Sequence, residues 1–474
     1  MDNKRIYTAL LILVLIMGIA LRIYSWLHLN SLTFDEAVHS NPGLMMVKII
    51  SNGFDINHFK NFLSNYPMAF AAGVFYPYGY PILSAISFFI FGFGELQSRL
   101  PSMILSILII LAVYYLAKII FKEEKAALLS AFFAAINPWF IIWGGRALAD
   151  LPMAFFMVLS FYFLIKATDE DKTKYWVFSA IFCGSAFLMK PPGLLMLPFL
   201  IFYAIYQKGS SVLFKKNFIA FSAIIFVFLL SYFGFGLFSK YLLPLINADT
   251  GYYGDQIYKN IFHWFSGALT MAEAGDPTWK TFAAWFYYPK LLIVQLGGLI
   301  ALCLSLIGAG TILFKKNAKK TVLIFLFIPF LYLVFSFLNN KDTRYTIPYL
   351  PFFCMLAGYG ASKTASSFKG SFHFLGITII IAITLLGSFN TLPVFNIWHT
   401  PNSGLEKAVQ DIMQKNPGPI AIDENSDNMV NVNTLAFYML MKDTGLKYSV
   451  CWPEKSYEAK YIVLVKNERV FGIK

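Results

Sequence analysis

Charged side chains are scarce in this chain of 474 residues, since Asp, Glu, Lys and Arg together make up 13% of it. A soluble globular domain carries about 25%. Hydrophobic residues reach 58% and the mean hydropathy is +0.62. Many apolar runs approach the ~20 residues that cross a bilayer as a helix. The scarcity of charge therefore excludes an ordinary soluble domain and predicts an all-α polytopic membrane protein.

Cysteine is scarce as well. The four cysteines are scattered, and three of them fall within apolar runs; they are Cys183, Cys303, Cys354 and Cys451. This spacing forms neither a metal motif nor a disulfide framework. A glycine-rich phosphate loop and a convincing internal repeat are also absent from the sequence, and the missing repeat counts against many transporter folds.

The formal net charge of +13 does not indicate a nucleic-acid partner. Lys and Arg occur in short tracts between apolar runs, and no basic face interleaved with aromatic residues would follow a phosphate backbone. Short basic tracts beside apolar runs are what orientation in a membrane produces. We therefore expect membrane lipid, and no nucleic acid, among the partners.

Eleven apolar segments are predicted to span the membrane. They cover 6–28, 101–121, 126–143, 151–167, 175–190, 194–207, 218–238, 286–312, 321–338, 345–361 and 373–390. The first starts after basic residues and is followed by no small-residue cleavage site, so we expect a retained helix. A further segment, 79–94, is shorter and contains Pro81, Gly92 and Gly94.

The placement of lysine decides whether 79–94 crosses. If it does not, six basic connections fall on one side of the membrane, as the positive-inside rule requires. These connections are 1–5, 118–125, 166–174, 208–217, 315–320 and 363–371. We therefore predict a re-entrant or interfacial helix at 79–94, a cytoplasmic N-terminus, and a multi-pass protein of the plasma membrane.

This topology places the long polar connections outside, as a first outer loop at 30–100 and a second large loop at 239–290, within a transmembrane domain of residues 1–390. Residues 391–474 are more polar, and we predict a small extracytoplasmic α/β domain there. Its predicted elements are helices at 403–415 and 431–442 and strands at 419–423, 447–451 and 460–465.

An acidic pair, Asp35 and Glu36, follows the first span, with His39 close by. Acidic side chains at a membrane boundary are costly unless they are solvated or used. One carboxylate would deprotonate an acceptor hydroxyl while the other orients it or holds a metal. A solvated loop that caps an interfacial helix explains the same residues.

Basic residues mark the same outer connections. Arg146 and Asp150 are four residues apart, so on a helix they would share a face and form a structural ion pair. Lys341 and Arg344 lie at an outer boundary, against the positive-inside rule, and are candidates to bind an anion. Snorkelling to lipid headgroups is the alternative for both.

The remaining candidates stand at the ends of spans and in loops. Lys190 ends one span and Arg99 opens another, so each is either an interfacial anchor or a cation of a site. Tyr76, Tyr78 and His263 are candidates to line a substrate. The alternatives are an aromatic belt for the tyrosines and a structural role for the histidine.

The order of these motifs resembles the C-type (GT-C) membrane glycosyltransferases, in particular the protein mannosyltransferase and lipid A aminoarabinose transferase group. The resemblance covers about residues 6–360. The matching features are Leu21-Arg22, Asp35-Glu36, the aromatic and proline-rich entry at 75–81, Gly94-Glu95, Arg99-Leu100-Pro101-Ser102, Arg146 with Asp150, Lys190, and the element from Lys341 through Arg344-Tyr345 to Pro348. The family's outward-facing first loop agrees with the topology predicted from lysine.

The resemblance implies a role for each candidate. Asp35 looks like the catalytic acidic residue, with Glu36 beside it and Asp150 as its partner in the second outer loop. The residues that would neutralise a donor phosphate are Arg146, Lys190, Lys341, Arg344 and Arg99. The chain departs from the aminoarabinose branch at Phe75-Tyr76-Pro77, where that branch has a Glu-Lys pair before the proline. No cofactor is therefore assigned, the metal site is unknown, and a divalent cation is left open.

The implied activity is sugar transfer from a polyprenyl-phosphate-linked donor to a hydroxyl acceptor on the outer face of the membrane. The acceptor is a protein, a lipid or a glycan. One inverting displacement, with Asp35 as base, would suffice, because basic residues stabilise the leaving phosphate. Two other classes stay open: a transporter or flippase of a lipid-linked or small substrate, and an inactive membrane scaffold.

Overall fold

The computed structural model describes most of the chain up to residue 391 and several elements of the C-terminal region. The described residues are 3–29, 31–51, 53, 77–245, 279–315, 319–367, 372–391, 404–415, 420–423, 432–442, 448–450, 461–466 and 469–473.

The chain up to residue 391 is a succession of helices. The first of them are α1 (Asn3–Leu27), α2 (Phe34–Ser51), α3 (Gly79–Phe91), α4 (Glu95–Phe121), α5 (Glu124–Ile136), α6 (Pro138–Gly144), α7 (Asp150–Glu170), α8 (Thr173–Met189), α9 (Met196–Lys208) and α10 (Lys216–Leu245). They are followed by α11 (Phe282–Gln295), α12 (Leu299–Leu313), α13 (Lys319–Phe325), α14 (Phe327–Phe337), α15 (Leu350–Ser367) and α16 (Phe372–Thr391). Short 3-10 helices cover Pro191–Leu195, Ser210–Phe214 and Thr343–Thr346.

Several of these helices are fit to cross a membrane. Among the described residues, 4 helices are long and apolar enough, or up to 6 if two bent pairs each count as one span. Large apolar side chains such as Leu13, Phe89 and Phe226 are exposed on helix surfaces. Exposed apolar surface of this kind requires lipid around it, so the chain is a polytopic membrane protein. The finer count of eleven spans stays a prediction.

One predicted span is divided into α5 and α6, which meet at an angle of 52°. Pro138 lacks the N–H that would bond the carbonyl four residues earlier. That carbonyl, of Ala134, accepts a hydrogen bond from Arg22 Nη2 at 3.0 Å instead. Arg22 Nη1 also bonds Ala135 O at 2.7 Å, and its Nε bonds Ser106 Oγ at 2.7 Å. The buried guanidinium of Arg22 thus donates hydrogen bonds to the carbonyls at the break and links the break to α4.

A second predicted span is also two helices, since α11 and α12 meet at 110°. Gly297 and Gly298 occupy the break with φ of 84° and 121°, a region that residues with a side chain rarely adopt. Hydropathy does not register such a bend, because both halves are apolar. The break matters for the site, since Gln295 ends α11 just before it.

Glycines let α12 and α15 approach closely. A Cβ on Gly308 would lie 2.1 Å from Leu356 O, and one on Gly360 would lie 2.0 Å from Leu304 O. Small residues at helix contacts are typical of membrane proteins, where close backbone approach stabilises packing. The contact fixes α15, which follows the 3-10 helix Thr343–Thr346.

The C-terminal region contains two helices and a four-stranded sheet. The elements are α17 (Leu405–Lys415), β1 (Ile420–Asp423), α18 (Val432–Met441), β2 (Tyr448–Val450), β3 (Tyr461–Lys466) and β4 (Arg469–Ile473). The strand order is β2-β1-β3-β4; β1 is parallel to β2 and β3, and β4 is antiparallel to β3. All but β4 lie within about two residues of predicted elements. A separate α/β domain at 391–474 stays a prediction.

Helix α18 packs against α2. Leu44 and Val47 of α2 share one buried apolar cluster with Phe437 and Tyr438 of α18. The hydroxyl of Tyr438 also donates a hydrogen bond to the carboxylate of Glu95, at the start of α4. The C-terminal region therefore holds α2, the helix that follows the first predicted span.

Candidate active site

Asp35 lies in the first turn of α2, and Arg344 lies in the 3-10 helix Thr343–Thr346. Arg344 Nη1 is 2.7 Å from Asp35 Oδ2. The same guanidinium binds Asp342, since Arg344 Nε is 2.7 Å from Asp342 Oδ2 and Nη2 contacts the same oxygen. Asp342 Oδ1 also accepts the backbone N–H of Arg344 at 2.8 Å. Two carboxylates therefore flank one guanidinium.

The charges of this group stabilise one another. Burial alone would raise the pKa of the Asp342 carboxyl, but Arg344 outweighs burial and holds that pKa below its ordinary value. Burial would lower the pKa of Arg344, and the neighbouring Asp342 and Asp35 reverse the effect, so that pKa lies well above the ordinary value. Asp342 and Arg344 are both ionised at neutral pH.

A second ion pair joins Asp150, which begins α7, to Lys190, which follows α8. Lys190 Nζ is 2.7 Å from Asp150 Oδ1, and the two side chains are 7% and 3% exposed. Asp150 Oδ2 has no hydrogen-bond partner in the part of the chain that the structure describes. A buried oxygen without a donor is costly. This oxygen is therefore suited to accept a hydrogen bond from a bound molecule.

The local sequence places Lys190 at the end of α8. Pro191 disfavours helical backbone at the residue before it, and Lys190 is extended, with φ of −157° and ψ of 139°. Gly193 then lies against α8, where a Cβ would come 2.3 Å from Ala186 O. The sequence Lys-Pro-Pro-Gly thus ends α8 directly before the positively charged Lys190.

His39 lies near both ion pairs. It follows Asp35 by one turn of α2, it is 3% exposed, and its ring centroid is 5.6 Å from that of Tyr80. The residues whose charges act on it are Asp35, Lys190, Asp150 and Arg344. Burial lowers the pKa of His39 to about 4, so the imidazole is neutral at pH 7. We call this group the polar cluster; its members are Asp35, His39, Asp150, Lys190, Asp342 and Arg344.

Glu36, the neighbour of Asp35, is fully buried and pairs with Arg99 at the start of α4. Arg99 Nε is 2.7 Å from Glu36 Oε1, and Nη2 is 3.2 Å from Oε2. The backbone N–H and the hydroxyl of Thr33 bond the same carboxylate at 3.0 and 3.1 Å. Glu36 therefore binds α2 to α4.

Glu36 also reaches the turn before Asp150. The N–H of Ala147 donates to Glu36 Oε1 at 3.0 Å, and Arg146 Nη1 is 3.6 Å from Oε2. Burial alone would raise the pKa of Glu36, but Arg99 and Arg146 lower it to about 2. An ionised carboxylate thus links the segment that carries Asp35 to the segment that carries Asp150.

Lys341 binds the end of α14. Its Nζ donates to the carbonyl oxygens of Phe335 at 3.1 Å, Ser336 at 2.7 Å and Leu338 at 2.5 Å. The last carbonyls of a helix lack partners within the helix, and a lysine often supplies the donor. Lys341 is 5% exposed and acts here as a cap.

Comparison with known proteins adds to this geometry. Residues 76–234 match the family model described as dolichyl-phosphate-mannose-protein mannosyltransferase. The chain is also 23% identical over 341 residues to undecaprenyl phosphate-alpha-4-amino-4-deoxy-L-arabinose arabinosyl transferase 2 of Proteus mirabilis. That match covers 66% of this chain and 56% of the relative. The chain therefore spans little more than half of the relative's length.

Two solved structures superpose on the chain. ArnT from Cupriavidus metallidurans bound to undecaprenyl phosphate has a TM-score of 0.64 at 16% identity, covering 94% of this chain and 85% of that one. The oligosaccharyltransferase of Archaeoglobus fulgidus has a TM-score of 0.58 at 14% identity, covering 94% and 64%. The chain has the GT-C fold. The resemblance to the mannosyltransferase and aminoarabinose transferase group is thereby confirmed.

Within this GT-C chain, the structure brings together four of the predicted site residues: Asp35, Asp150, Lys190 and Arg344. It adds His39 and Asp342, which were not among the predicted site residues. Signals for both are in the sequence. His39 lies four residues after Asp35, on the same face of a helix, and Asp342 stands two residues before Arg344.

Four predicted site residues have partners outside the polar cluster. The sequence predicts Glu36 as catalytic and Arg99, Arg146 and Lys341 as phosphate ligands. Each is buried with partners from the protein itself. In this structure their charges bind helices and turns together. Residue spacing does not reveal this role, because tertiary packing decides which charges are paired and buried.

The predicted substrate-lining residues are only partly described. The hydroxyl of Tyr78, just before α3, donates to Ser231 Oγ of α10. Tyr78 packs beside Phe187 and Tyr232. Tyr76 and His263 lie outside the described residues, so their roles stay predictions.

No metal site is formed by the described ranges, in which no group of three or more His, Cys, Asp or Glu side chains could hold a metal ion. The carboxylates of the polar cluster contact basic side chains: Asp35 and Asp342 contact Arg344, and Asp150 contacts Lys190. A requirement for a divalent cation stays a prediction.

Proposed function

We propose that this chain is a glycosyltransferase that moves a sugar from a polyprenyl-phosphate-linked donor to a hydroxyl acceptor on the outer face of the membrane. The observation that carries the proposal is the polar cluster itself. It pairs two carboxylates, Asp35 and Asp150, with two cations, Arg344 and Lys190; the pair of Asp150 and Lys190 is buried, and the pair of Asp35 and Arg344 is partly exposed.

The cations are suited to the donor's phosphate. Arg344 presents a planar fork that matches phosphate oxygens, and Lys190 adds a compact charge. A phosphodiester that reaches Arg344 Nη1 must compete with Asp35, whose carboxylate lies 2.7 Å from that nitrogen. Asp342 holds the other side of the guanidinium and keeps it oriented. Donor binding would therefore free Asp35 without loosening Arg344.

The free Asp35 carboxylate is the proposed base. It takes the proton of the acceptor hydroxyl, whose oxygen attacks the anomeric carbon of the sugar. A new carbon–oxygen bond forms, and the bond between that carbon and the phosphate oxygen breaks. The lipid phosphate leaves with the bonding electron pair, and Arg344 and Lys190 stabilise its charge. The anomeric configuration is inverted in this single step.

Asp150 and His39 are proposed to position the reactants. Asp150 Oδ2 has no donor among the described residues, so a hydroxyl of the sugar or of the acceptor can supply one. His39 is neutral at pH 7 and adds no charge that would compete with the phosphate. The sugar and the acceptor are not specified by these contacts.

Orientation and cation requirement complete the proposal. The basic connections support a cytoplasmic N-terminus, and with that orientation the C-terminal region and the polar cluster would face the outside. Phosphate charge is balanced by protein side chains. Transfer with EDTA, compared with transfer in added Mg²⁺, decides whether a divalent cation contributes.

Transfer in proteoliposomes tests the function. Purified protein receives undecaprenyl-phosphate donors carrying a labelled hexose, pentose or amino-pentose, with membrane lipid and peptide acceptors. We expect transfer by the wild type and none by Asp35→Asn. An Asp35→Asn variant with full activity would disprove the base assignment. Donor that binds and crosses the bilayer without transfer would favour a flippase.

A further inference from the structure

The two bent helix breaks found among the described residues meet at one backbone carbonyl, that of Thr343. The break between α5 and α6 contains Asn137, and the break after α11 begins at Gln295. Asn137 Nδ2 donates to Gln295 O at 2.9 Å. Gln295 Nε2 donates to Thr343 O at 3.2 Å, and Trp139 Nε1 donates to the same oxygen at 3.4 Å. Each break thus supplies one side-chain donor to Thr343.

Thr343 is the residue directly before Arg344. It begins the 3-10 helix Thr343–Thr346, and its carbonyl also accepts the hydroxyl of Thr346 at 2.8 Å. Asp342 fixes the guanidinium of Arg344 from one side. The donors from Gln295 and Trp139 fix the backbone that carries it. The backbone that carries Arg344 is therefore held by side chains of α6 and α11.

The buried side-chain amide of Gln295 is costly, so its presence beside Thr343 calls for a physical explanation. Gln295 is fully buried, and its Oε1 has no hydrogen-bond partner among the described residues. Burying an amide that is only partly bonded costs about 1–3 kcal/mol. An apolar side chain of similar size would avoid that cost but would leave Thr343 O with only the donors from Trp139 and Thr346. Stability alone therefore does not account for the glutamine.

We propose that Gln295 is a positioning residue that sets the place of Arg344 for binding of a lipid phosphate. The inference rests on the proposed function, because it takes Arg344 as a phosphate ligand. Gln295 acts through the Thr343 carbonyl alone. Its loss lets the 3-10 helix shift, and the fork of Arg344 no longer matches the phosphate oxygens. Trp139 does the same from the other break, through a longer and weaker bond.

The test measures binding of undecaprenyl phosphate to the full-length protein in nanodiscs, without sugar or acceptor. The variants are Gln295→Leu, Arg344→Lys and the double variant. Gln207→Leu is the matched control, since Gln207 lies in α9 and its Nε2 is also buried without a partner among the described residues. Thermal unfolding of each variant checks folding.

We expect Gln295→Leu to weaken binding about five- to tenfold, the effect of one hydrogen bond, and Gln207→Leu to bind like the wild type. In the double variant, Gln295→Leu should add little to the loss from Arg344→Lys, because both act on the same guanidinium. Additive losses, or unchanged binding in folded Gln295→Leu, would overturn the inference. Should Gln295→Leu fail to fold, Trp139→Phe replaces it, with an expected loss of about twofold and unchanged binding again decisive.

The experiment separates the two proposals. If wild type and Arg344→Lys bind equally, Arg344 is no phosphate ligand, and the donor site of the proposed function fails together with the inference. If Arg344→Lys binds weakly and folded Gln295→Leu binds normally, the inference alone is overturned. In transfer assays we expect Gln295→Leu to raise the KM for donor and to leave the KM for acceptor unchanged, a split that general destabilisation would not produce.

Discussion

The carboxylate of Asp35 and the guanidinium of Arg344 lie 2.7 Å apart, although the two residues are separated by most of the chain. Asp35 stands at the start of α2, and Arg344 stands in the 3-10 helix before α15. In the proposed reaction they serve opposite purposes, as base and as phosphate ligand. In this structure the two side chains are paired with each other. Asp35 therefore stays bound to Arg344 until an anion takes its place on the guanidinium.

This relationship predicts that Asp35→Asn binds lipid phosphate more tightly than the wild type. The amide carries no charge, so the phosphate no longer competes with a carboxylate for Arg344. The ion pair is partly exposed, and pairs of this kind contribute up to about 1 kcal/mol. We therefore expect an affinity about two- to fivefold higher, measured with undecaprenyl phosphate in nanodiscs, together with loss of transfer.

A matched control for that variant is Asp171→Asn. Asp171 follows α7 in a left-handed conformation, with φ of 50°, which asparagine tolerates well. It lies at the opposite end of α7 from Asp150. Binding by this control should equal that of the wild type. Weaker binding by Asp35→Asn would mean that Asp35 assists the phosphate site, which contradicts the competition.

The pKa of His39 predicts a pH dependence of stability. Burial lowers that pKa to about 4 in the folded protein, from an ordinary value of 6.5. The unfolded chain therefore binds the proton more readily between these pH values, and stability is lost as pH falls from 6.5 towards 4. Thermal unfolding should show this loss in the wild type. His39→Gln should have a flatter profile over the same window.

The window above pH 4.5 is the informative one for this comparison. Glu36 has a pKa of about 2 in the folded protein against an ordinary value of 4.5, so its contribution is present above pH 4.5 and is lost only as pH falls further. Parallel profiles of wild type and His39→Gln between pH 6.5 and 4.5 would show that burial of neutral His39 does not set the slope.

The ion pair of Glu36 and Arg99 predicts a large loss of stability in single variants. Glu36→Leu leaves the guanidinium of Arg99 buried without its carboxylate, and breaking such a pair costs about 3–5 kcal/mol. The double variant Glu36→Leu with Arg99→Leu removes both charges and should be more stable than Glu36→Leu. The unfolding midpoint in detergent measures both. A double variant as unstable as the sum of the single variants would show that the two residues act independently.

The sequence predicts the apolar helices well and their breaks poorly. Hydropathy reports only that a segment avoids water, and α11 and α12 are both apolar although they meet at 110°. Pro138 is a visible signal for the other break. The partner that satisfies it, Arg22, comes from a distant helix, and no local pattern reveals such a contact.

The same limit applies to the candidate site: the sequence predicts several of its residues but not which charges pair with each other. Asp35, Asp150, Lys190 and Arg344 could be named in advance, because the resemblance carries their order along the chain. The same resemblance predicts Glu36 and Arg99 as site residues. The structure pairs the two with each other at 0% exposure. Long-range packing decides whether a charged side chain faces a ligand or another charge. Such packing cannot be predicted from the local patterns of one sequence.

The contact between α18 and α2 yields the last prediction. Phe437 is fully buried, and its ring centroid is 6.4 Å from that of Phe88, in the apolar cluster that also contains Leu44 and Val47 of α2. Phe437→Ala should cost about 3–5 kcal/mol at a buried site. Because α2 carries Asp35, we also expect a lower kcat for transfer. Phe214→Ala, at a residue that is 84% exposed, serves as the control and should change neither. If Phe437→Ala lowers the unfolding midpoint and leaves kcat intact, the C-terminal region supports α2 without setting the place of Asp35.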